Sequence, residues 1–444
     1  MHSPLPVFII MLLTLSGVTH AQDSTRLPTR WDLQACLDYA KKNNIQLNML
    51  RLNEQTAEQN YMLSRAQREP TLNATVPLTY THSKQNVSGV IGGFQTQSSF
   101  SQSFTVSSAA TIFNGGYINN DIRQKNLEIE LANLSILQNS NDLTLSITQA
   151  YLAILLAKEN VVYIEDLVHT SSAQVDQGRK EYEAGSIAKN AYIELQAQLA
   201  TDKYNLVTAQ SAVRQNKVTL KQLLQLPFQD SFDIVSPDTI VSKEAVTGLD
   251  SAVAIAMRTR PEVKNGQLSI EVSRYDLAKA KAGYLPLLTA SAAISSGYSN
   301  NVREDYTRQI DNNFFQQIGL NLSIPIFNHR TVKTQVEEAK IEIANSKLSL
   351  LNTQTTLALD IEQAYINVQN AQAQYDAAVE ELRANQETYR IAGEELKVGA
   401  SDIVDYLQQK TLYTQAFQAY IQAKYNAALS TRIYDFYMGI AVKL

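Results

Sequence analysis

The chain has 444 residues, with 38 Lys and Arg against 43 Asp and Glu, a formal net charge of −5. That balance leaves no basic footprint of the kind nucleic acid selects, so no nucleic-acid partner is expected. The single cysteine, Cys36, excludes an intrachain disulfide framework, and the five histidines are scattered without metal-ligand spacing.

Residues 1–21 read as a signal peptide. Val7 to Leu15 is short and almost wholly apolar, and Thr19-His20-Ala21 offers a small-residue cleavage site, although the n-region has no Lys or Arg. The run is far below the ~20 residues a membrane-spanning helix needs. No later stretch approaches that length, which excludes a helical membrane protein. Gln22 to Arg30 is a polar leader. Trp31 to Arg68 has helical spacing, with Leu33, Leu37, Ala40, Ile45, Leu47, Leu50 and Leu52 apolar and a break at Asn43-Asn44. Pro70 ends it by pushing its predecessor out of the α region. Leu33-Gln34-Ala35-Cys36 has the look of a lipidation box, but it lies inside this amphipathic segment. Cys36 is therefore expected to be a small core-facing residue.

Two alternating runs follow. Leu72, Ala74, Val76, Leu78 and Tyr80 fall on one face, with Thr71, Asn73, Thr75, Thr79 and Thr81 on the other. Residues 84–97 are polar and glycine-containing, a long loop; its Gly89-Val90-Ile91-Gly92-Gly93 lacks the Lys-Ser/Thr of a phosphate cradle. Phe100, Phe104, Val106, Ala110 and Ile112 then oppose Ser101, Ser103, Thr105, Ser107 and Thr111. Period two predicts strands over about 71–83 and 99–113. The polar faces carry hydroxyls and amides but almost no charge, and aromatics sit toward the strand ends. That pattern predicts membrane strands, apolar toward lipid and polar toward a lumen; a soluble sheet with one wet face is the competing account.

Gly115 to about Gly178 contains no proline, and 64 residues of helix would span roughly 96 Å. It carries two apolar stripes: Ile129, Ala132, Ile136, Leu143, Ala150 and Ile154, and Leu127, Leu131, Leu134, Leu145 and Leu152. Two stripes predict neighbours on both sides, as in the wall of a helical tube, where a simple hairpin needs one. Glu183-Ala184-Gly185-Ser186 reads as a turn with glycine in a left-handed cap, and a returning helix runs to Leu226. Residues 227–246 lose the period and carry two prolines, predicting a small side structure.

The remainder repeats this order. Phe113 and Phe327, in Ile112-Phe113-Asn114 and Ile326-Phe327-Asn328, are offset by 214 residues (327 − 113), and Gly185 and Gly399 share that offset. Upstream of the junction the offset is 216, from Pro70 to Pro286 (286 − 70). Residues 22–226 and 247–444 are thus two copies of one helix-strand-strand-helix unit. The second copy predicts strands over about 287–299 and 314–327, a long helix from His329 to about Gly393, a turn at Val398-Gly399-Ala400-Ser401 and a returning helix to Gly439. Four strands cannot close a barrel, and open edges in lipid leave backbone groups unpaired. Several chains must pool strands: two would give eight, three would give twelve.

Gly283-Tyr284-Leu285-Pro286 before a strand, Pro325-Ile326-Phe327-Asn328 after one, and Val398-Gly399 followed by Asp402-Ile403-Val404-Asp405, set within the repeat, resemble the TolC family of outer-membrane efflux proteins over essentially the whole mature chain. The resemblance implies a mainly α fold with a membrane β-barrel. It implies a homotrimer in outer-membrane lipid, with a twelve-stranded barrel continuing into a long coiled-coil tunnel across the periplasm. It also implies a periplasmic adaptor and an inner-membrane transporter as partners, and efflux or type I secretion as the function. The family narrows the periplasmic mouth with an acidic ring: Asp405 matches its first position and Gln408 stands where a second aspartate can occur. Ala191 is the first-copy equivalent of Asp405. The Tyr and Arg that lock some members closed are replaced by Leu396 and Ser401, which leaves the means of closure open. Apart from the resemblance, Asp405 also reads as a solvated carboxylate near a helix start. Adaptor contact is expected at Gly185, Ser186, Gly399 and Ala400. The competing accounts are a structural or adhesive coiled-coil protein without a pore, and an enzyme. No zinc spacing, nucleophile elbow or phosphate loop supports catalysis, and no cofactor is called for.

Overall fold

The computed structural model describes residues 30–86, 94–227, 232–237 and 247–440. The signal segment 1–21, the leader up to residue 29, the glycine-rich segment 87–93 and linker residues 228–231 and 238–246 lie outside the described residues.

The first unit opens with β1 (Arg30–Trp31), α1 (Leu33–Asn43) and α2 (Ile45–Ala66). The expected break falls at Asn44, whose side chain caps α2 by accepting from Leu47 N at 3.1 Å. Cys36 is fully buried, and desolvation pushes its thiol up to about 12, so it is a core residue. The first expected strand is interrupted, giving β2 (Thr71–Thr75) and β3 (Leu78–Asn86). Pro77 supplies no N–H and breaks the ladder. Register survives the interruption: Thr75 stands opposite Thr105 and Leu78 opposite Gln102. β4 (Phe94–Asn114) is longer than the expected 99–113, so the loop expected over 84–97 is strand at both ends, over 84–86 and 94–97. Then come α3 (Tyr117–Glu183) and α4 (Lys189–Leu224).

Of the linker, β5 (Asp233–Ile234) pairs in parallel with β1. Tyr151 on α3 fastens this pair, donating to Val235 O at 2.6 Å and Trp31 O at 3.3 Å. Lys158 and Lys217 hold the Asp233 carboxylate at 2.7 and 2.9 Å. Beneath lies a core of Trp31, Leu37, Ile147, Leu152, Ile154 and Leu220. Each fully buried aliphatic side chain there contributes about 1.5–3 kcal/mol.

The second unit comprises α5 (Leu249–Thr259), α6 (Pro261–Ala282), β6 (Leu287–Ser299), α7 (Tyr306–Asn312), β7 (Phe315–Ser323), α8 (Thr331–Lys397) and α9 (Ile403–Tyr437). β7 stops short of the expected residue 327, because Pro325 cannot donate to a ladder. No element was expected for α7. It is pinned to β6 through Gln309, which accepts from Ser299 N at 2.8 Å and donates to Glu304 O at 2.7 Å.

The sheet order is β2/β3, β4, β6, β7, antiparallel throughout. The helices attached to these strands keep that order: α2 packs on α3, α3 on α6, and α6 on α8. The sheet and the helical wall are therefore one continuous four-element layer. α3 and α8 each run 67 residues, roughly 100 Å at 1.5 Å per residue. Farther from the sheet, α4 packs on α3, α9 packs on α8, and α3 meets α9. α3 thus has neighbours on both sides, as its two stripes predict.

Candidate functional site

Register sorts the sheet into two faces. Ala74, Val106 and Ile294 align in one row, Ala110, Ala290 and Leu320 in another, and Phe113, Leu288 and Leu322 in a third. This apolar face lies open: Leu72, Leu320 and Leu322 are exposed and Ile318 is 88% exposed. The opposite face aligns Asn73, Ser107 and Gln317, and Thr111, Thr289 and Asn321. Its hydroxyls bond across strands, Thr105 Oγ1 to Ser295 Oγ at 3.0 Å. Among the described residues of this sheet, His82 and Lys84 alone are of Lys, Arg, His, Asp or Glu type. Both lie in the last half of β3, at the end where Phe100, Tyr298 and Tyr306 cluster. An exposed oily face backed by an uncharged polar face is the composition of strands between lipid and water. The two lateral edges, β2/β3 and β7, are unpaired in the single chain.

The two turns remote from the sheet are built alike. Ser186 N donates to Glu181 O at 2.8 Å and Gly185 N to Tyr182 O at 2.9 Å; Ala400 N donates to Glu395 O at 2.9 Å and Gly399 N to Leu396 O at 3.1 Å. Both are Schellman caps, with Gly185 and Gly399 at φ 74° and 72°. Gly185, Ser186, Gly399 and Ala400 are all exposed. Asp402 caps α9 by accepting from Asp405 N at 2.9 Å, which fixes the Asp405 backbone and leaves its side chain in solvent. Gln408 is also exposed, one turn on.

Between the turns and the linker pair lies a network that sequence reasoning missed. Lys410 Nζ on α9 donates to Asp202 Oδ2 on α4 at 2.9 Å, and the two are 1% and 4% exposed. Ser171 on α3 donates to the same carboxylate, as does Gln198 at 2.8 Å. Nearer the turns, Tyr389 and Tyr406 share a hydroxyl contact at 2.7 Å, and Gln174 donates to Tyr406. Tyr163 stacks on Phe417 at 3.8 Å. These groups tie the first hairpin, α3–α4, to the second, α8–α9. The signal was present: Leu195, Asp202 and Ala209 recur every seven residues, so Asp202 occupies a seam position that ordinarily takes an apolar residue.

One layer thus carries a lipid-type sheet at one end and paired hairpins at the other, the arrangement of a membrane-anchored helical protein with a β-sheet anchor. The chain belongs to the outer membrane efflux protein family, whose pattern matches residues 36–225 and 253–432, one match in each repeat. It is 23% identical over 290 residues to the outer membrane protein TolC of Escherichia coli, covering 64% of this chain and 58% of that protein. It is also 23% identical over 287 residues to the pyoverdine export outer membrane protein OpmQ of Pseudomonas aeruginosa, covering 64% of this chain and 56% of that one. The chain thus spans less than two thirds of the length of these relatives. The proteases secretion protein PrtF of Dickeya chrysanthemi is 19% identical over 435 residues, 94% of this chain and 88% of that one. In fold, the chain resembles CusC with a TM-score of 0.79 at 17% identity, covering 92% of each chain. It resembles VceC of Vibrio cholerae with a TM-score of 0.78 at 16% identity, covering 92% and 96%. Membership places the sheet in the outer membrane and the helices in the periplasm. Among the described residues no helix is long and apolar enough to cross a membrane.

Proposed function

We propose that three copies of this chain form a passive exit duct for efflux or type I secretion. The observation that carries this reading is the pair of open edges. β2/β3 and β7 offer unpaired backbone beside an exposed apolar face, which lipid does not tolerate. The helical edges match them: α2 exposes Ile45, Met49, Leu52 and Leu63, and α8 exposes Ile341, Leu348, Leu351 and Leu359. One edge meeting the other, head to tail, generates a closed ring. Three copies give twelve strands and a twelve-helix tunnel. The two turns reach farthest from the membrane, so Gly185, Ser186, Gly399 and Ala400 meet a periplasmic adaptor, and an inner-membrane transporter supplies the energy.

In the ring, three Asp405 carboxylates stand near the narrow mouth, with Gln408 one helical turn on. Like charges in a constriction attract cations, as in acidic rings of cation-selective pores, and they are weakly screened within a Debye length of ~8 Å. A multivalent cation would bind and block there, more weakly than in a mouth with two acidic rings. The test is a bilayer recording of Asp405→Ala, which should lower cation preference and relieve block by a trivalent cation added from the periplasmic side. Unchanged selectivity and block would remove Asp405 from the mouth. A stable monomer in detergent, by mass measurement, would refute the ring itself.

A further inference from the structure

The four junctions between sheet and helices have a charge unlike the rest of the chain. Residues 61–70, 115–124, 277–286 and 329–338 hold seven Lys/Arg and four Asp/Glu, a net of +3 (7 − 4) on a chain of net −5. Arg65, Arg68, Arg123, Lys281, Arg330 and Lys333 are exposed there, while Lys279 is drawn inward to Asp121 at 3.2 Å. This band directly adjoins the apolar face of the sheet. Along the β7 edge the apolar surface continues past the strand through Ile324, Ile326, at 95% exposed, and Phe327, and ends at His329 and Arg330.

The β7–α8 junction carries the clearest sign of a purpose beyond folding. In the first copy two glycines make this turn, Gly115 and Gly116, at φ 66° and 81°. In the second copy the same two left-handed positions are filled by His329 and Arg330, at φ 50° and 71°. Side chains there are strained, and glycine would remove the strain. Arg330 and Lys333 also sit at the start of α8, where the helix dipole disfavours cations. Among the described residues neither makes an ion pair within 4.0 Å; the Glu337 carboxylate, held below its ordinary range first by Lys340, is lowered further by Lys333 and Arg330. The backbone conformation and the helix dipole both oppose these residues, and their side chains are exposed in the single chain, open to a partner outside it.

We propose that this basic band, centred on Arg330 and Lys333, binds the phosphate headgroups of anionic phospholipid on the periplasmic side of the outer membrane. Two observations fix the occupant. The band is continuous with the lipid-facing surface, and its charge complements a negatively charged headgroup layer, which attracts Lys and Arg lying within a Debye length of it. Ile326 and Phe327 enter the acyl region and the two cations beyond them meet the phosphates, as basic and aromatic residues divide at a membrane boundary. The proposal rests on the placement of the sheet in the outer membrane.

The test uses the intact assembly, purified in neutral detergent and offered equal amounts of phosphatidylglycerol and phosphatidylcholine, with retained lipid counted by native mass spectrometry. The wild type should retain phosphatidylglycerol severalfold over phosphatidylcholine. Arg330→Gln with Lys333→Gln should bring the ratio close to one. So should His329→Gly with Arg330→Gly, which relaxes the turn and cannot lose the preference through misfolding of the backbone. An unchanged ratio in both variants overturns the proposal. Abolition of the wild-type preference by millimolar inorganic phosphate would also overturn it, since a site for the free ion would then suffice. Conductance in phosphatidylcholine bilayers reads the duct separately: equal conductance with no lipid preference would remove the lipid proposal and leave the duct standing.

Discussion

Lys410→Met isolates what the buried network contributes. The substitution keeps length and apolar stem but removes the charge, leaving the Asp202 carboxylate at 4% exposure without its cation. Breaking a buried pair by removing one partner typically costs about 3–5 kcal/mol. Here Ser171 and Gln198 still donate to the carboxylate, so the lower end, about 3 kcal/mol, is expected. At 1.4 kcal/mol per factor of ten, that is roughly a hundredfold in a local opening equilibrium. Replacing both partners, Asp202→Leu with Lys410→Met, removes the orphan charge and should return close to the wild-type value. The assay is amide hydrogen exchange of α4 and α9 in the detergent-solubilised assembly, since it reports opening region by region without requiring two-state unfolding. Exchange around residues 202 and 410 should accelerate roughly a hundredfold in the single variant and far less in the double. If the single variant exchanges like wild type, or the double is as fast as the single, the pair does not join the hairpins in the way the geometry indicates.

Three further outcomes are expected. Burial pushes the Asp233 carboxyl up, but its bonds to Lys158 and Lys217 outweigh that and hold it at about 2 against an ordinary 3.8. A depressed folded pKa stabilises above the unfolded value and is lost as pH falls through the folded one, so the β1–β5 pair should detach between about pH 4 and pH 2. Trp31, the single tryptophan, reports it by fluorescence, and Asp233→Asn should loosen the pair already at neutral pH with no further acid step. Gly115→Ala should destabilise by about 2–3 kcal/mol in denaturant unfolding, because a Cβ would meet Leu285 Cβ at 2.8 Å and Ala282 O at 2.9 Å. Gly116→Ala meets nothing closer than 3.9 Å, so it should cost the backbone strain alone, about 1 kcal/mol. Cysteines at Ser186 and Ala400 should cross-link to the adaptor in cells; cross-linking from the 84–97 region instead would reverse the orientation.

The repeat, the strand faces and the helix turns were legible because each rests on local periodicity or on a residue type that local geometry demands. Glycine at positions 185 and 399 announces a left-handed cap, and alternation over 99–113 announces a two-faced strand. Proline marked other places, but its consequence depended on partners. Pro77 interrupts β2/β3 without shifting register, because β4 runs unbroken beside it. Pro325 ends β7, which is an edge strand in the single chain. The Ser171–Asp202–Lys410 network was illegible as a network: its members are separated by 31 and 208 positions, and periodicity shows that a polar residue occupies a seam but not what it meets there.

The duplication sharpens the proposal for the mouth, because each position has an internal control. The two turns share one backbone, down to the same pair of cap hydrogen bonds. The returning helices nevertheless start differently. The second copy opens its returning helix with Asp402 as a side-chain cap and Asp405 in the first turn; the first copy has Ala188, without a side-chain cap, and Ala191. Two carboxylates per chain thus stand at one turn and none at the start of the other returning helix. A carboxylate near a helix N-terminus is favourable anywhere, contributing typically 0.3–1 kcal/mol. If capping alone explained Asp402 and Asp405, the first copy would gain equally from the same residues. Fold maintenance gives no reason for the asymmetry, whereas a narrow mouth lined by the second hairpin and an outer surface formed by the first would require it. By the same reasoning, His329 and Arg330 in place of two glycines mark the second junction as more than a hinge between sheet and helix. In a chain built twice from one plan, the positions where the copies keep the backbone but exchange the chemistry are the ones to test first.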